Sequence, residues 1–214
     1  MDFAYNDEQK DIIKVVRDLV QKEIVPYAAE MDETGKLHEG LLDKLAAQGL
    51  LGVAIPEEFG GAGLDAITIA GVYEELAKGC GGVATTVAAN ALASYPVILA
   101  GNDDQKKRYF DVINEDNLAA FALTEPGTGS DAGSVSTRAT KTEDGKGYLL
   151  NGTKCFITNG GLAEIFVVFA NTRKTGGIRG LTPFIVRKGT PGFTIGKEEN
   201  KMGIREIGRA SCRE

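Results

Sequence analysis

Two short stretches of this chain bring together residue types that suit the binding of a planar, phosphate-bearing cofactor. The first is Phe121-Ala-Leu-Thr-Glu-Pro-Gly-Thr-Gly-Ser130. Proline fixes one backbone angle, and the glycines remove side chains that would keep a ligand away from the backbone. The hydroxyls and the outward-pointing N–H groups of such a turn could therefore wrap a phosphate or the polar edge of a ring system.

The second stretch, Lys154-Cys-Phe-Ile-Thr-Asn-Gly160, places an aromatic residue two positions before a hydroxyl. If this stretch is a β-strand, Phe156 and Thr158 point to the same face, because side chains alternate along a strand. A ring that covers an apolar plane and a hydroxyl that reaches its heteroatom suit a flavin. Taken singly, each stretch is also compatible with a tight turn or a hairpin strand.

The composition argues against several other kinds of site. The chain has 214 residues and a net charge of −6, and no stretch concentrates Lys and Arg as nucleic-acid binding requires. Cys80, Cys155 and Cys212 are too irregularly spaced for a disulfide framework or a zinc site, and they suit a reducing compartment. His38 is the only histidine, so any His-based triad would have to include it. The N-terminus lacks the pattern of a signal peptide, and we expect a cytoplasmic protein.

The first 117 residues carry the pattern of helices only. Asn6 with Gln9 three positions later is typical of a capping box, and apolar residues follow at helical spacing up to a break at Pro26. Further helices are predicted at about 39–48, 66–77, 82–100 and 106–113. The uncharged stretch 79–102 is long enough to span a membrane, but it is rich in small and polar residues. We therefore expect a helix packed inside a helical domain, with no membrane partner.

From Leu118 the pattern changes to strand-like runs. Strands are predicted at 121–123, 148–150, 155–158, 165–170 and 183–186, with turn dipeptides such as Asn151-Gly152 between them. Strands and helices do not alternate, so the sequence does not predict a Rossmann unit. The glycine after Gly127-Thr-Gly129 also comes one position too late for the dinucleotide fingerprint. The pattern predicts a compact antiparallel β domain, barrel-like in form.

Together and in this order, the two cofactor stretches resemble the flavin signature of the acyl-CoA dehydrogenase family. Pro56-Glu-Glu-Phe-Gly-Gly61 and Lys201-Met-Gly-Ile-Arg205 add matches on either side, so the resemblance covers residues 1–205 in order. It implies an α+β fold with an N-terminal all-α domain at 1–117 and a flavin-binding β domain at 118–205. It also implies that the family's C-terminal four-helix domain is absent here, and that 206–214 are a non-matching tail.

The resemblance also implies a reaction. Family members remove hydrogens from the α and β carbons of an acyl-CoA thioester: a carboxylate takes the α-proton, and the β-hydrogen leaves as hydride to N5 of FAD. The electrons then pass to an electron-transfer flavoprotein. The stretch Asn151-Gly-Thr-Lys-Cys-Phe-Ile-Thr-Asn-Gly-Gly161 is most similar to short-chain, butyryl-CoA-type members. The whole protein is expected to be a homotetramer.

Site residues follow from the resemblance, position by position. Cofactor binding is expected at Phe121, Leu123, Thr124, Gly129, Ser130, Phe156, Ile157 and Thr158. Substrate binding is expected at Ser130 and at one face of a helix formed by Thr85, Ala88 and Leu92. No catalytic base is assigned in this chain, because the family's glutamate lies in the C-terminal domain. Glu125 and Asp131 are expected to make structural hydrogen bonds, and Glu74 and Glu75 to be solvated.

Two other interpretations stay open at the level of sequence. The chain could be a non-catalytic module that binds FAD or CoA without a base, or a fragment of an acyl-CoA oxidase. The compact start of the chain disfavours the oxidase.

Overall fold

The computed structural model describes residues 4–173 and 177–205, and the backbone of 210–213. Within these ranges the first half is helical, as the sequence predicts. The α-helices are Asp7–Leu19 (α1), Ala28–Thr34 (α2), Leu41–Ala47 (α3), Ala66–Gly79 (α4), Gly81–Ala100 (α5) and Asp103–Ile113 (α6).

The helix ends follow from local chemistry. The Asn6 side chain accepts from the Gln9 N–H at 2.8 Å, and the Gln9 side chain accepts from the Asn6 N–H at 2.9 Å, which is the predicted capping box. Near Pro26 the chain passes from a π-helical turn, Val20–Ile24, into a 3-10 turn, Val25–Tyr27. The sequence did not predict α2, because Met31 is its only fully buried residue and its pattern is weak.

Helix α5 is long and apolar enough to cross a membrane by length and composition alone, with a mean hydropathy of 1.5 over its most apolar window. More than half of that window is buried against the rest of the described chain, as in a core helix. Val83 and Val87 pack in one core cluster with Ala120, Ala122 and Phe166 of the sheet region. Helix α5 therefore joins the helical half to the sheet half.

The strands of the second half are Ala119–Ala122 (β1), Arg138–Lys141 (β2), Tyr148–Asn151 (β3), Thr153–Ile157 (β4), Ile165–Asn171 (β5), Leu181–Arg187 (β6), Thr194–Glu198 (β7) and Ala210–Arg213 (β8). Strands β1, β2, β3, β5 and β6 form one sheet, in which β5 is central, and β4, β8 and β7 form a second. The sequence did not predict β2 and β7, which are short and mostly exposed.

The prediction of an all-antiparallel β domain is wrong, because the larger sheet is mixed. Both β1 and β2 run parallel to β5: Ala119 pairs with Ile165 at its start, and Arg138 pairs with Asn171 at its end. Turn dipeptides in the sequence report only local connections, whereas these pairs join segments far apart in the chain. Because β1 and β2 both run parallel to β5, the loop 123–137 connects the end of β1 to the start of β2 alongside β5.

The end of the chain takes part in the second sheet. The backbone of β8 pairs with β4 through Thr153 and Arg213, and with β7 through Thr194 and Arg213. Residues 210–213 of the predicted tail 206–214 therefore form a strand of this sheet. The domain limits at 117 and 205 and the non-matching nature of the tail stay predictions.

Candidate functional site

The two cofactor stretches are fastened to each other. The Lys154 ammonium donates to the Leu123 carbonyl at 3.1 Å and to the Glu125 carboxylate at 2.8 Å. The Cys155 N–H donates to the Thr124 carbonyl at 2.9 Å. Segments that are distant in sequence therefore form one unit at the end of β1.

Glu125 is the centre of this unit. Its side chain and that of Lys154 are each only 3% exposed. It also accepts from the N–H and hydroxyl groups of Ser136 and Thr137. Burial alone would raise the pKa of Glu125, but the hydrogen bonds from Lys154, Ser136 and Thr137 outweigh it and lower the pKa to about 2. The carboxylate is charged and saturated, so it is unsuited to act as a base, and the predicted structural role fits its contacts.

The turn after Glu125 presents free polar groups. Glu125 and Thr128 exchange both backbone hydrogen bonds, each at 3.0 Å, and the Thr128 hydroxyl donates to the Ser134 carbonyl. Among the described residues, the N–H groups of Gly127, Gly129 and Ser130 have no acceptor. A Cβ added at either glycine would meet nothing within 4 Å. The fold itself does not need glycine at these positions, and the open space suits a ligand that approaches the backbone.

The end of β4 does not have regular strand geometry. Phe156 has a φ of 57°, and the pairing of β4 with β8 shifts register between Lys154 and Ile157. Thr158 lies in the turn beyond the strand. Phe156 and Thr158 therefore do not lie in one regular strand, and the prediction of a shared face by strand alternation loses its basis. Even so, the ring of Phe156 is 54% exposed and Thr158 is half-buried, so both side chains have exposed surface.

The sequence predicted no role for Asn159, which the structure places at the junction of three elements. It is fully buried, and its amide donates to the Thr86 carbonyl of α5 at 3.0 Å and to the Ala119 carbonyl of β1 at 3.2 Å. Its φ of 63° is left-handed, a conformation that Asn tolerates better than most residues. Asn159 thus joins the Thr158 turn to α5 and to β1. An Asn after Thr in a turn was the available signal.

The predicted substrate residues lie on the less buried face of α5. Thr85 and Ala88 are half-buried, Leu92 is 49% exposed, and the same face continues through Tyr95 to Leu99. The Thr85 hydroxyl donates to the Gly81 carbonyl at 2.7 Å, so its donor is used within the helix. The bond from Asn159 to Thr86 holds the Thr158 turn beside this helix.

The remaining predicted residues differ in accessibility. The ring of Phe121 packs on Phe169 with centroids 4.9 Å apart and is half-buried. Ile157 is 1% exposed, so its side chain belongs to the core and only its backbone could face a ligand. Leu123 is half-buried, as is Thr124, whose hydroxyl has no partner among the described residues. The same holds for the hydroxyls of Ser130 and Thr158.

The other candidate base carboxylates are occupied or remote. Asp131 accepts a hydrogen bond from the Ser134 hydroxyl. Glu74 is exposed and contacts Lys78. The expectation that Glu75 is solvated is wrong, because it is buried and accepts two hydrogen bonds from Arg17 at 3.1 and 2.8 Å. The Arg17 bonds lower the pKa of Glu75 to about 2.

No group of three or more His, Cys, Asp or Glu side chains is arranged to hold a metal in the described ranges. The candidate site offers free N–H groups, three free hydroxyls and an exposed aromatic ring.

Two family models match the chain. The model of the acyl-CoA dehydrogenase N-terminal domain matches residues 6–115, and that of the acyl-CoA dehydrogenase middle domain matches residues 120–213.

Individual relatives agree with these matches. A short-chain-specific acyl-CoA dehydrogenase from Megasphaera elsdenii is 43% identical over 209 residues, which is 95% of this chain and 54% of the relative. The solved butyryl-CoA dehydrogenase of Megasphaera elsdenii superposes with a TM-score of 0.91 at 42% identity, over 100% of this chain and 57% of that one. A solved structure of the electron transferring flavoprotein of Acidaminococcus fermentans contains a chain with a TM-score of 0.93 at 38% identity, over 100% and 56%. The chain thus spans about half the length of the curated relatives that it matches.

Proposed function

This chain belongs to the acyl-CoA dehydrogenase family. On that premise we propose that it contributes the residues that bind the cofactor and the acyl group in an FAD-dependent dehydrogenase for short-chain acyl-CoA thioesters. One observation carries the proposal. The Lys154–Glu125 ion pair joins the two cofactor stretches, and Asn159 holds the turn that carries Thr158 against α5. Groups suited to a flavin and groups suited to an acyl chain are thereby fixed next to each other.

The residues present fit FAD. The free N–H groups of the 127–130 turn and the hydroxyl of Ser130 suit a phosphate or the arm of CoA. The free hydroxyls of Thr124 and Thr158 suit ring heteroatoms, and the exposed Phe156 ring suits a flat apolar surface. When bound, FAD would supply the acceptor for the hydride that leaves the β-carbon.

The acyl chain would lie along α5. Ala88 and Leu92 offer an apolar face that the described chain leaves uncovered, beside the turn that carries Thr158. The half-buried Thr85 begins this face. We propose that these side chains position the α and β carbons and exclude water from them.

The base would come from outside residues 1–214. Both buried carboxylates, Glu75 and Glu125, have pKa values lowered to about 2 and hydrogen bonds that occupy them. A general base for α-proton removal works best with a pKa nearer the working pH and within hydrogen-bond reach of the proton. The alternative, a non-catalytic module that binds FAD or CoA, is favoured by the same observation for this chain taken alone.

The remaining parts of the proposal rest on the family. We propose that the electrons leave through an electron-transfer flavoprotein and that the whole protein is a cytoplasmic homotetramer. The packing of α5 as a core helix supports a protein that is not anchored by that helix.

The test is flavin reduction by substrate. The 214-residue chain and a full-length parent protein are each mixed anaerobically with FAD and butyryl-CoA, and the visible flavin absorbance is followed. The full-length protein should bleach and the 214-residue chain should not. Bleaching of the short chain at an enzyme-like rate would mean that a base lies within it. Flavin binding without bleaching in the full-length protein would favour the non-catalytic module.

Thr158→Val tests the cofactor assignment directly. The substitution keeps the shape and removes one hydroxyl, which should weaken FAD binding by about 1 kcal/mol and lower the flavin potential in the full-length protein. Thr153→Val, in the same strand region, is the matched control and should change neither. Equal behaviour of the two variants would remove Thr158 from the site.

A further inference from the structure

An open cavity of about 460 Å³ lies where β2 meets the end of β5, apart from the residues described above. Its lining contains three cationic side chains, those of Arg138, Lys141 and Arg173, together with the ring of Tyr148. The other lining residues are Ala139, Thr140, Asn171 and Thr172, so no Asp or Glu contributes to it.

The charge of this cavity is not compensated by the protein. Among the described residues, none of the three cations takes part in an ion pair. The chain as a whole has 30 acidic and 24 basic residues and a net charge of −6. Three unpaired cations around one concave surface of an acidic protein focus a positive potential there, which attracts anions.

Hydrogen bonds at the strand ends tie Arg138 to the backbone of Arg173. The Asn171 amide donates to the Gly177 carbonyl at 3.0 Å, and its oxygen accepts from the Arg173 N–H at 3.0 Å. The Arg138 guanidinium donates to the Arg173 carbonyl, and Arg138 pairs with Asn171 across the strands. Arg138 keeps further N–H donors, because a guanidinium carries five. The site is therefore partly organised before any ligand arrives.

Tyr148 adds an aromatic surface. Its ring meets Phe184 at an angle of 62° with centroids 5.2 Å apart, and the residue remains 42% exposed. An exposed ring beside several cations matches the two parts of a nucleotide, since bases stack on aromatic side chains and phosphates pair with Arg and Lys.

The cavity also adjoins the proposed site along the chain. The loop 123–137 starts at the end of β1, passes Ser130 and ends at Arg138, which lines the cavity. Ser130 and Arg138 are thus eight residues apart along the chain.

We propose that this cavity binds a phosphorylated adenosine, with the phosphate on Arg138, Lys141 and Arg173 and the base on Tyr148. In a form that rests on the proposed function, this ligand is the 3′-phosphoadenosine end of the acyl-CoA substrate. A free nucleotide is the other source of the same chemistry.

The binding test uses the 214-residue chain and adenosine 3′,5′-bisphosphate, followed by calorimetry at low salt. Lys141→Gln and Arg173→Gln should each weaken binding about tenfold or more, as expected for loss of a charged hydrogen bond. Arg173→Lys, which keeps the charge, should retain most of the affinity. Arg187→Gln is the matched control. Arg187 pairs with Ile165 at the opposite end of β5, roughly 20 Å from Asn171 at the rise of a strand, and should have no effect.

Two further binding experiments identify the ligand. Tyr148→Leu should weaken binding of the nucleotide but leave binding of inorganic pyrophosphate unchanged. CoA should bind about tenfold or more tightly than dephospho-CoA if its 3′-phosphate occupies the cavity, and Lys141→Gln should abolish that difference. Equal binding of CoA and dephospho-CoA, with nucleotide binding still dependent on the cations, would assign the cavity to a free nucleotide instead.

The proposal is overturned if the bisphosphate does not bind, or if the glutamine variants bind it as the Arg187→Gln control does. None of these arms uses FAD or turnover. Failure of flavin reduction with intact nucleotide binding would therefore count against the proposed function alone.

Discussion

Two buried glutamates, one in each half of the molecule, have similar pKa values but different surroundings. Glu75 on α4 faces Arg17 and Lys78, whose side chains are 54% and 53% exposed. Glu125 in the sheet region faces Lys154, which is as buried as Glu125 itself, and four donors from Ser136 and Thr137. Glu75 fastens α1 to α4, whereas Glu125 fastens one signature stretch to the other.

The difference lies in what remains when a partner is lost. Glu75 has two cations that reach water, so one can replace the other and solvent screens both. Glu125 and Lys154 are both buried, and the loss of Lys154 leaves the buried Glu125 carboxylate without its cation. A low pKa therefore does not by itself mark a functional carboxylate. The burial of the partner distinguishes the two.

Low pH should weaken the ion pairs and hydrogen bonds of both glutamates. The Arg17 bonds lower the pKa of Glu75 to about 2, and the bonds to Glu125 outweigh the effect of its burial and lower its pKa to about 2. A lowered folded-state pKa stabilises the protein above the unfolded value near 4.5, and this stabilisation is lost as pH falls towards 2. Urea unfolding at a series of pH values should show stability falling through this window.

The two glutamates can be separated in that experiment. Glu75→Gln and Glu125→Gln should each reduce the acid dependence, and the effects should add because the residues share no partner. Asp65, whose pKa is also lowered to about 2 by bonds from Thr68 and Gln9, should supply part of what remains. An unchanged pH dependence in Glu125→Gln would show that its carboxylate is not ionised by these contacts.

Of the single substitutions, Lys154→Met should be the most damaging. It leaves the Glu125 carboxylate buried without its cation, which costs about 3–5 kcal/mol of unfolding free energy. Chemical denaturation measures it. The double variant Lys154→Met with Glu125→Gln should recover part of the loss, because no buried charge remains. If the single and double variants are equally unstable, packing and not the charge pair is what Lys154 supplies.

Asn159→Ala tests a neutral anchor at the same site. The change removes the buried amide that donates to the carbonyls of Thr86 and Ala119, and the expected loss is about 2 kcal/mol. Asn159→Gly separates the causes, since Gly keeps the left-handed backbone at no steric cost. Thermal unfolding should find both variants less stable, with Ala the worse of the two. A stable Gly variant would mean that the residue is needed for its φ alone.

The sequence predicted those parts of the fold that depend on near neighbours. The capping box of Asn6 and Gln9, the packed helix α5 and the apolar strand β5 all follow from residues within one element. The motif residues also pointed to two stretches that the structure brings into contact. Their joining by Lys154 was not predicted, because a lysine in a strand is normally expected at the surface.

Most of the errors depend on distant neighbours. The parallel pairing of β1 and β2 with β5, and the burial of Glu75 under Arg17, join residues more than 30 positions apart. The left-handed φ of Phe156, which breaks the strand alternation before Thr158, is unusual for an aromatic residue and no local pattern predicts it. Sequence periodicity describes an element and not what that element meets.

Arg17→Gln, which removes one of the two exposed partners of Glu75, should have the smallest effect. Arg17 donates to Glu75 through two nitrogens, but Lys78 stays 2.9 Å from the same carboxylate and solvent reaches both cations. The expected loss of unfolding free energy is about 1 kcal/mol at low ionic strength, and it should shrink in 1 M salt as charges are screened.

Lys107→Gln is the control, because its pair with Asp111 is exposed on both sides and should be worth a few tenths of a kcal/mol. Urea denaturation of the two variants at both salt concentrations decides the matter. A loss in Arg17→Gln as large as that in Lys154→Met, and insensitive to salt, would mean that the exposure of the partner does not distinguish the two glutamates.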